Sequence, residues 1–502
     1  MVRPVGIETE YGLNCDGFTS EVDFAFEAST IVRAAAVEPS FRGWDYTNED
    51  ARLDMRGKRV KSLARDPNDL RDSNARSRKL SSKELLADTI LPNGARFYND
   101  HNHPEYCTDV CVSLKELVAQ DKAGEVILLA CQKARNASTD EGHVLVVKNN
   151  TDYHGRSYGT HENYLVARSI RFDDLVAAVV PFLVARQVIV GAGKVGSEGP
   201  SPGRVEFQIS QRADFFEEVV GINTTARRPI FNTRDEPHAD NLKYRRLHVI
   251  AGDANRSEYA TALKAGMTGL VLDAVEEGRR FHCTLKDPVK AVRAISRAPD
   301  LNVTVELKDR RKLTALDILE SYLELLENRG SDDEEARWVL RQWRELLDLL
   351  RTRPDATADR LDWTAKRVVY REIESFQGPL DKSDRRRLDL SYHLVDPDIS
   401  LYDSLVDGGR IRRLLDNEDV NSAITNPPTE TRAAVRGALL RRFGELITAM
   451  EWDSVTLSAS GQELRLSLSE IEGAEIRRLE SIVNRAESVE DMLGMLGGGR
   501  IA

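Results

Sequence analysis

The sequence predicts a mixed α+β chain in which helices cover one side of an antiparallel sheet and leave the other side open to a ligand. Three observations point there. Stretches such as VGIETEYGL and YRRLHVIAGDAN alternate polar and apolar residues with the period of a strand. Amphipathic helical patterns recur downstream, among them SEYATALKAGMTGLVLDAVEEG, LTALDILESYLELLENRG and SDDEEARWVLRQWRELLDLLRTRPD, the last opening on an acidic first turn. An antiparallel sheet covered on one face can carry its polar residues on the other.

Taken in order, residues 5–12 read as a strand with Glu8 and Glu10 on one face, since i and i+2 share a side. Residues 21–36 have helical spacing. SSKELLADTILPNG supplies an N-cap serine with a short helix or strand behind it, and ARFYND returns to strand character. LKELVAQDKAGEVILLACQKARNAS reads as a helix and HVLVVKNN as a buried strand. GRVEFQISQRADF and YRRLHVIAGDAN read as two further strands, with RRPIFNTRDEPHAD between them as a loop rich in turn formers. The chain breaks at Asn426-Pro427-Pro428. Residues 429–502 follow as helix, strand pair (DSVTLSA, GQELRLSL) and helix, with a disordered tail LGGGRIA.

At 502 residues the chain exceeds the size of one hydrophobic core, so a large domain over 1–428 and a small α/β domain over 429–502 are expected. Apolar residues make up 41% without a run long enough to span a membrane, and the N-terminus lacks the apolar region of a signal peptide. A cytoplasmic protein with no membrane partner is the expectation. Five cysteines at irregular spacing fit reduced thiols better than a disulfide framework or a zinc site. The net charge of −11 argues against a nucleic-acid partner. Residues 51–80 depart from this balance with ten Lys/Arg against four Asp, and the reading is a flexible basic insert, about 40–82, near a site for something acidic.

The chemistry concentrates in a few places. RFYNDHNHPEYC (96–107) crowds Asp100, His101, His103 and Glu105 together, and Pro104 keeps His103 extended, so the stretch cannot be a regular helix. Glu8 and Glu10 would repel each other unless a cation sits between them, and carboxylate oxygens suit Mg²⁺ or Mn²⁺. In SYGTHENY, Gly159 permits a turn, and His161 reads as a ligand or as a hydrogen-bonded loop histidine. His248, within RLHVI, reads alone as a core group. Arg212, Arg234, Arg245 and Arg246 offer forks for phosphate or carboxylate oxygens. P-loop, Rossmann and GxSxG motifs are absent, so any hydrolytic device here is carboxylate and metal.

GIETEYG, NGARFYNDHNHPEY, SYGTHENY, FNTRDEPHAD and RLHVIAGDAN, in that order over residues 5–255, resemble the Pup ligase and deamidase family, which is similar in fold to glutamine synthetase and other carboxylate-amine ligases. EWDSV (451–455) resembles the family's small C-terminal domain. The resemblance implies a glutamine synthetase-like curved antiparallel sheet holding ATP and Mg²⁺, and Pup and pupylated proteins as partners, with the proteasomal ATPase ring as a further candidate. DHNHPEY and the long insert before it resemble the branch that deamidates Pup and removes it from lysines. The alternative is the ligase branch, which forms the isopeptide bond through a glutamyl phosphate and consumes ATP. By the same resemblance Asp100 is the nucleophile or general base. Glu8, Tyr98, Glu105, His161 and His248 fall around magnesium. Gly6, Ile7, Glu8, Thr9, Glu10, Cys107, Thr108, Asn163, Arg234 and Arg246 fall where the family contacts ATP, and Arg212 is a candidate for the Pup C-terminus.

Overall fold

The computed structural model describes residues 3–64, 77–198, 205–459 and 461–497. Its centre is a six-stranded antiparallel sheet of β1 (Val5–Glu10), β2 (Thr89–Ile90), β3 (Arg96–Asp100), β4 (His103–Cys107), β5 (Thr160–Ala167) and β6 (Tyr244–Val249), in the order β6-β5-β1-β4-β3-β2. The alternation read in VGIETE is realised: Val5, Ile7 and Thr9 are buried, while Gly6, Glu8 and Glu10 are only partly so.

Apolar residues on the covered face of the sheet, Val5, Ile7, Tyr164, Val166, Leu247 and Val249, share one core with Val179, Leu183, Leu263 and Leu270. Each such aliphatic side chain contributes about 1.5–3 kcal/mol when fully buried. Helix α1 (Phe24–Arg33) covers the β3/β4 end, where Ile31 and Val32 meet Phe97 and Tyr106. Helices α2 (Leu114–Ala137), α3 (Phe172–Val190) and α4 (Glu258–Glu276) form the rest of this layer. Asp23, Ser113 and Ser257 cap α1, α2 and α4 by accepting from first-turn amides.

Several expectations are corrected. RRPIFNTRDEPHAD is not all loop: Arg228–Asn232 is a strand paired in parallel with Phe216–Gly221. GRVEFQISQRADF is not one long strand. Among its described residues only Phe207–Gln208 is extended and paired, because Gln208, Ser210 and Gln211 commit their polar groups to buried hydrogen bonds with Gly196, Asp214, Asp253 and Gly193. Part of the basic insert is packed. Leu53–Asp54 and Lys58–Arg59 form a hairpin, Met55 joins the main core, and the buried Asp54 accepts from Arg56 and from Thr233 Oγ1 (2.8 Å). Residues 65–76 of that insert and 498–502 of the tail lie outside the described residues.

The last part of the chain has three strands rather than two, Ile447–Met450, Ser454–Ala459 and Gln462–Ser467, packed with Arg432–Phe443, Ala474–Arg485 and Val489–Leu496. Their apolar cluster also takes in Trp44 and Ile90. Bridges from Phe41 to Ile90 and from Trp44 to Met450 make residues 41–44 a link between the two sheets. Among the described residues no helix is long and apolar enough to cross a membrane.

Candidate functional site

The open face of the sheet gathers most of the polar residues singled out above, and strand register is what gathers them. Glu8 lies opposite Cys107 on one side and His161 on the other, Glu10 lies opposite Glu105, and Gly6 lies opposite Asn163. Tyr98 pairs with Glu105, Asp100 with His103, and His248 with Asn163. Residues two apart share a face, so β1 to β6 turn Glu8, Glu10, Tyr98, Asp100, Glu105, His161, Asn163, Arg246 and His248 to the same side.

Two donor clusters result. Glu8, His161 and His248 bring ligand atoms within 4.8 Å of one another, and so do Glu10, Asp100 and Glu105. The expected magnesium set of Glu8, Tyr98, Glu105, His161 and His248 is thus divided, with Glu10 and Asp100 joining Glu105. Three carboxylates suit a hard cation such as Mg²⁺. Two imidazoles and one carboxylate suit a divalent ion with more affinity for nitrogen. Tyr98 belongs to neither trio. It lies opposite Glu105 in the strand register, and its ring is held under the Arg96 guanidinium at 4.1 Å.

Electrostatics in the carboxylate trio are uneven. Burial opposes the charged form of Glu10, but the His161 hydrogen bond and the neighbouring His103 and Arg212 outweigh it and hold the carboxyl at about 2. Burial, followed by the carboxylates of Asp100, Glu8 and Glu10, pushes Glu105 well above the ordinary range. A cation entering here displaces the Glu105 proton, which couples its affinity to pH. Burial, then the charge of Arg246, lowers His248 well below an ordinary histidine, leaving the neutral imidazole that binds metal.

Asp100 closes β3 at a two-residue turn in which His101 and Asn102 have φ of +43° and +72°, as a tight hairpin requires. His101 Nδ1 lies 2.7 Å from Asp100 Oδ2. On the other face of β3, Asn99 Nδ2 donates to the carbonyls of Ala25 and Leu85 and to Ser29, which fixes the strand end. His103 stacks on Tyr158 at 4.3 Å and lies 3.7 Å from Glu10. Gly159 serves close approach rather than a turn: a Cβ there would overlap the His161 ring and come within 2.6 Å of Glu10 Oε1.

A cleft of about 570 Å³ adjoins the Glu8 trio. Gly6, Glu8, Cys107, Thr108, Asn163 and Arg246 line it, six of the residues expected around ATP. The others are placed differently. Ile7 and Thr9 point into the core, so only their backbone faces a ligand; Ile7 N donates to Thr108 Oγ1 at 3.0 Å. Glu10 belongs to the carboxylate trio, and Arg234 donates to Thr224 at 3.4 Å outside the cleft. Arg212 is buried, donates to the Tyr158 carbonyl at 2.8 Å, and is lowered to about 10 by burial and then by the neighbouring Arg228. The sequence reading missed the far wall, Arg432, Trp452 and Ile471, which comes from the C-terminal region. Of these only Trp452, in EWDSV, carried any signal.

The donor sets fit divalent cations, and the orphaned buried nitrogens His161 Nδ1, Arg212 Nε, Arg234 Nε and Arg246 Nε around the same face suit ligand and anion contacts. Relatives give this face a context. The depupylase of Acidothermus cellulolyticus (strain ATCC 43068 / DSM 8971 / 11B) is 41% identical over 518 residues, covering 100% of both chains. A Pup–protein ligase of Acidimicrobium ferrooxidans (strain DSM 10331 / JCM 15462 / NBRC 103882 / ICP) is 42% identical over 77% of this chain and 87% of its own. Among solved structures, the ligase PafA in complex with Pup matches at a TM-score of 0.76 and 30% identity, covering 99% of this chain and 96% of that one. PafA in complex with ADP matches at 0.72 and 32%, covering 85% and 95%. The family model described as Pup-ligase protein matches residues 3–456, and the chain belongs to that family.

Proposed function

We propose that this protein hydrolyses the side-chain amide of the C-terminal residue of Pup, converting a terminal glutamine to glutamate and releasing Pup from the lysines of pupylated proteins. One observation carries the choice of branch. In sequence, the match to the Acidothermus depupylase runs the full length of both chains, whereas the match to the Acidimicrobium ligase covers 77% of this one, although the PafA ligase shares the fold over 99% of it. Mg-ATP is the proposed cofactor, bound between the Glu8 side of the sheet and the wall of Arg432 and Trp452. The complex of PafA with ADP supports a nucleotide in this family. Divalent ions held by the Glu8–His161–His248 and Glu10–Asp100–Glu105 trios would supply charge stabilisation where negative charge develops on the amide oxygen.

The rest falls to the chain's own side chains. Asp100, partly exposed at the hairpin end, is placed to attack the amide carbon or to take a proton from the water that does. With water attacking, the carbon–nitrogen bond breaks, a carbon–oxygen bond forms, and the proton taken by Asp100 passes to the departing ammonia or lysine amine; with Asp100 attacking, the departing nitrogen takes its proton from solvent, an acyl anhydride forms on Asp100, and water hydrolyses it to restore the carboxylate. Buried Arg212, beside Glu10, is proposed to face the carboxylate of the Pup terminus. Amide hydrolysis is downhill, so no phosphoryl group needs to be spent.

The test is a protein carrying Pup on one lysine, incubated with this enzyme and Mg-ATP. Release of free Pup and of the unmodified protein is expected. No release, with further Pup attached instead and ADP produced, would assign the chain to the ligase reaction.

A further inference from the structure

We propose that Asn163 is the positioning residue of the Glu8–His161–His248 cation site, and that the two histidines meet the ion with opposite ring nitrogens, Nδ1 from His161 and Nε2 from His248.

The groups around Asn163 include several whose hydrogen-bonding role has no alternative. A guanidinium only donates, and an ionised carboxylate only accepts. Arg246 Nη1 lies 3.1 Å from one end of the Asn163 amide, so that end is the oxygen. Glu8 Oε1 lies 2.7 Å from the other end, so that end is the NH₂. The orientation of Asn163 is thereby fixed twice. The same Asn163 oxygen lies 2.9 Å from His248 Nδ1, which must therefore carry the ring proton and donate it. The lone pair of His248 then sits on Nε2.

His161 obeys the same logic with the opposite outcome. Its Nε2 lies 3.3 Å from Glu10 Oε1, a carboxylate that can only accept, so Nε2 carries the proton. Its Nδ1 is buried and has no hydrogen-bond partner among the described residues. That nitrogen is the one left to a cation. Outer partners that fix a ligating histidine's tautomer govern metal affinity as strongly as many direct ligands do. Here the partners are an amide for one ring and a carboxylate of the neighbouring trio for the other. Glu10 thereby orients a ligand of one cation site while belonging to the next.

Two nitrogens and one carboxylate favour Mn²⁺ or Co²⁺ over Mg²⁺ at this position, while the all-oxygen trio keeps no such preference. The inference rests on the cation-site geometry and is independent of which amide the enzyme cleaves.

The experiment uses full-length, metal-free protein with ¹⁵N-labelled histidine and long-range ¹H–¹⁵N correlation spectra, the two rings being assigned with His161→Gln and His248→Gln. The Nδ1–H form of His248 and the Nε2–H form of His161 are expected. A shared tautomer, or the reverse pair, would overturn the proposal. Mn²⁺ binding without nucleotide, followed by the electron paramagnetic resonance of the free ion, gives a second readout. Asn163→Ala is expected to weaken the tighter Mn²⁺ site about 10–100-fold and to mix the His248 tautomers. Asn163→Asp, which keeps the oxygen facing His248, is expected to retain the tautomer but not the affinity. Folded Asn163→Ala protein with unchanged Mn²⁺ affinity would also overturn the assignment.

Discussion

Asp100→Asn is expected to slow hydrolysis of the Pup amide by about 10²–10⁴-fold without altering the fold, the range a positioned carboxylate supplies as base. The substitution keeps the size of the side chain and removes its basicity. Asp100 is partly exposed, and among the described residues its side chain hydrogen-bonds His101 on the adjoining turn. The strand end is held independently by Asn99 on the covered face, through α1 and the Leu85 carbonyl. Thermal unfolding should therefore match the parent protein while turnover falls. A folded variant retaining more than a tenth of the parent rate would remove Asp100 from the chemistry.

Arg186→Leu is expected to cost about 3–5 kcal/mol of stability, because it strands a buried carboxylate. Glu162 is fully buried on β5 and receives Arg186 Nη1 at 2.8 Å and Nη2 at 2.5 Å. The same guanidinium donates to Thr268 Oγ1 and to the Lys264 carbonyl on α4. One ion pair thus ties α3 and α4 to the strand whose other face presents His161 and Asn163. With Arg186 gone, Glu162 keeps the Tyr164 hydroxyl at 2.6 Å, too little to offset burying its charge. The urea unfolding midpoint measures the loss. Replacing both partners, as Glu162→Gln with Arg186→Met, should recover much of it, since no lone charge remains. A single-variant loss below about 1 kcal/mol would mean that the pair does not anchor the sheet.

Much of this molecule was legible where side-chain period and backbone chemistry agree. GIETEYG alternates, so Glu8 and Glu10 were placed on one face before any register was known. The register itself was not legible, and register decides that Glu10 joins Asp100 and Glu105 while Glu8 joins His161 and His248. His248 looked like a core residue because Leu247 and Val249 flank it, but those two face the helices and His248 faces the site. α3 was overlooked because apolar residues surround nearly its whole circumference, which is what a helix enclosed on all sides shows, so no amphipathic stripe marked it. The strand at Arg228–Asn232 was hidden by Pro229 and the turn formers after it; proline is tolerated near the start of a strand. The cleft wall of Arg432 and Trp452 lies more than 180 residues beyond β6, and no local pattern reports a contact at that range.

On the proposed function, this open sheet face hydrolyses an amide and does not spend its nucleotide. The most direct test mixes the purified protein with Mg-ATP and Pup ending in glutamine, and follows intact Pup mass and ADP in the same samples. A mass gain of about one dalton over many turnovers, the change from amide to acid, is expected with ADP far below the Pup converted. Unchanged Gln-ended Pup, with ADP formed in step with attachment of Glu-ended Pup to a lysine-bearing protein, would contradict it.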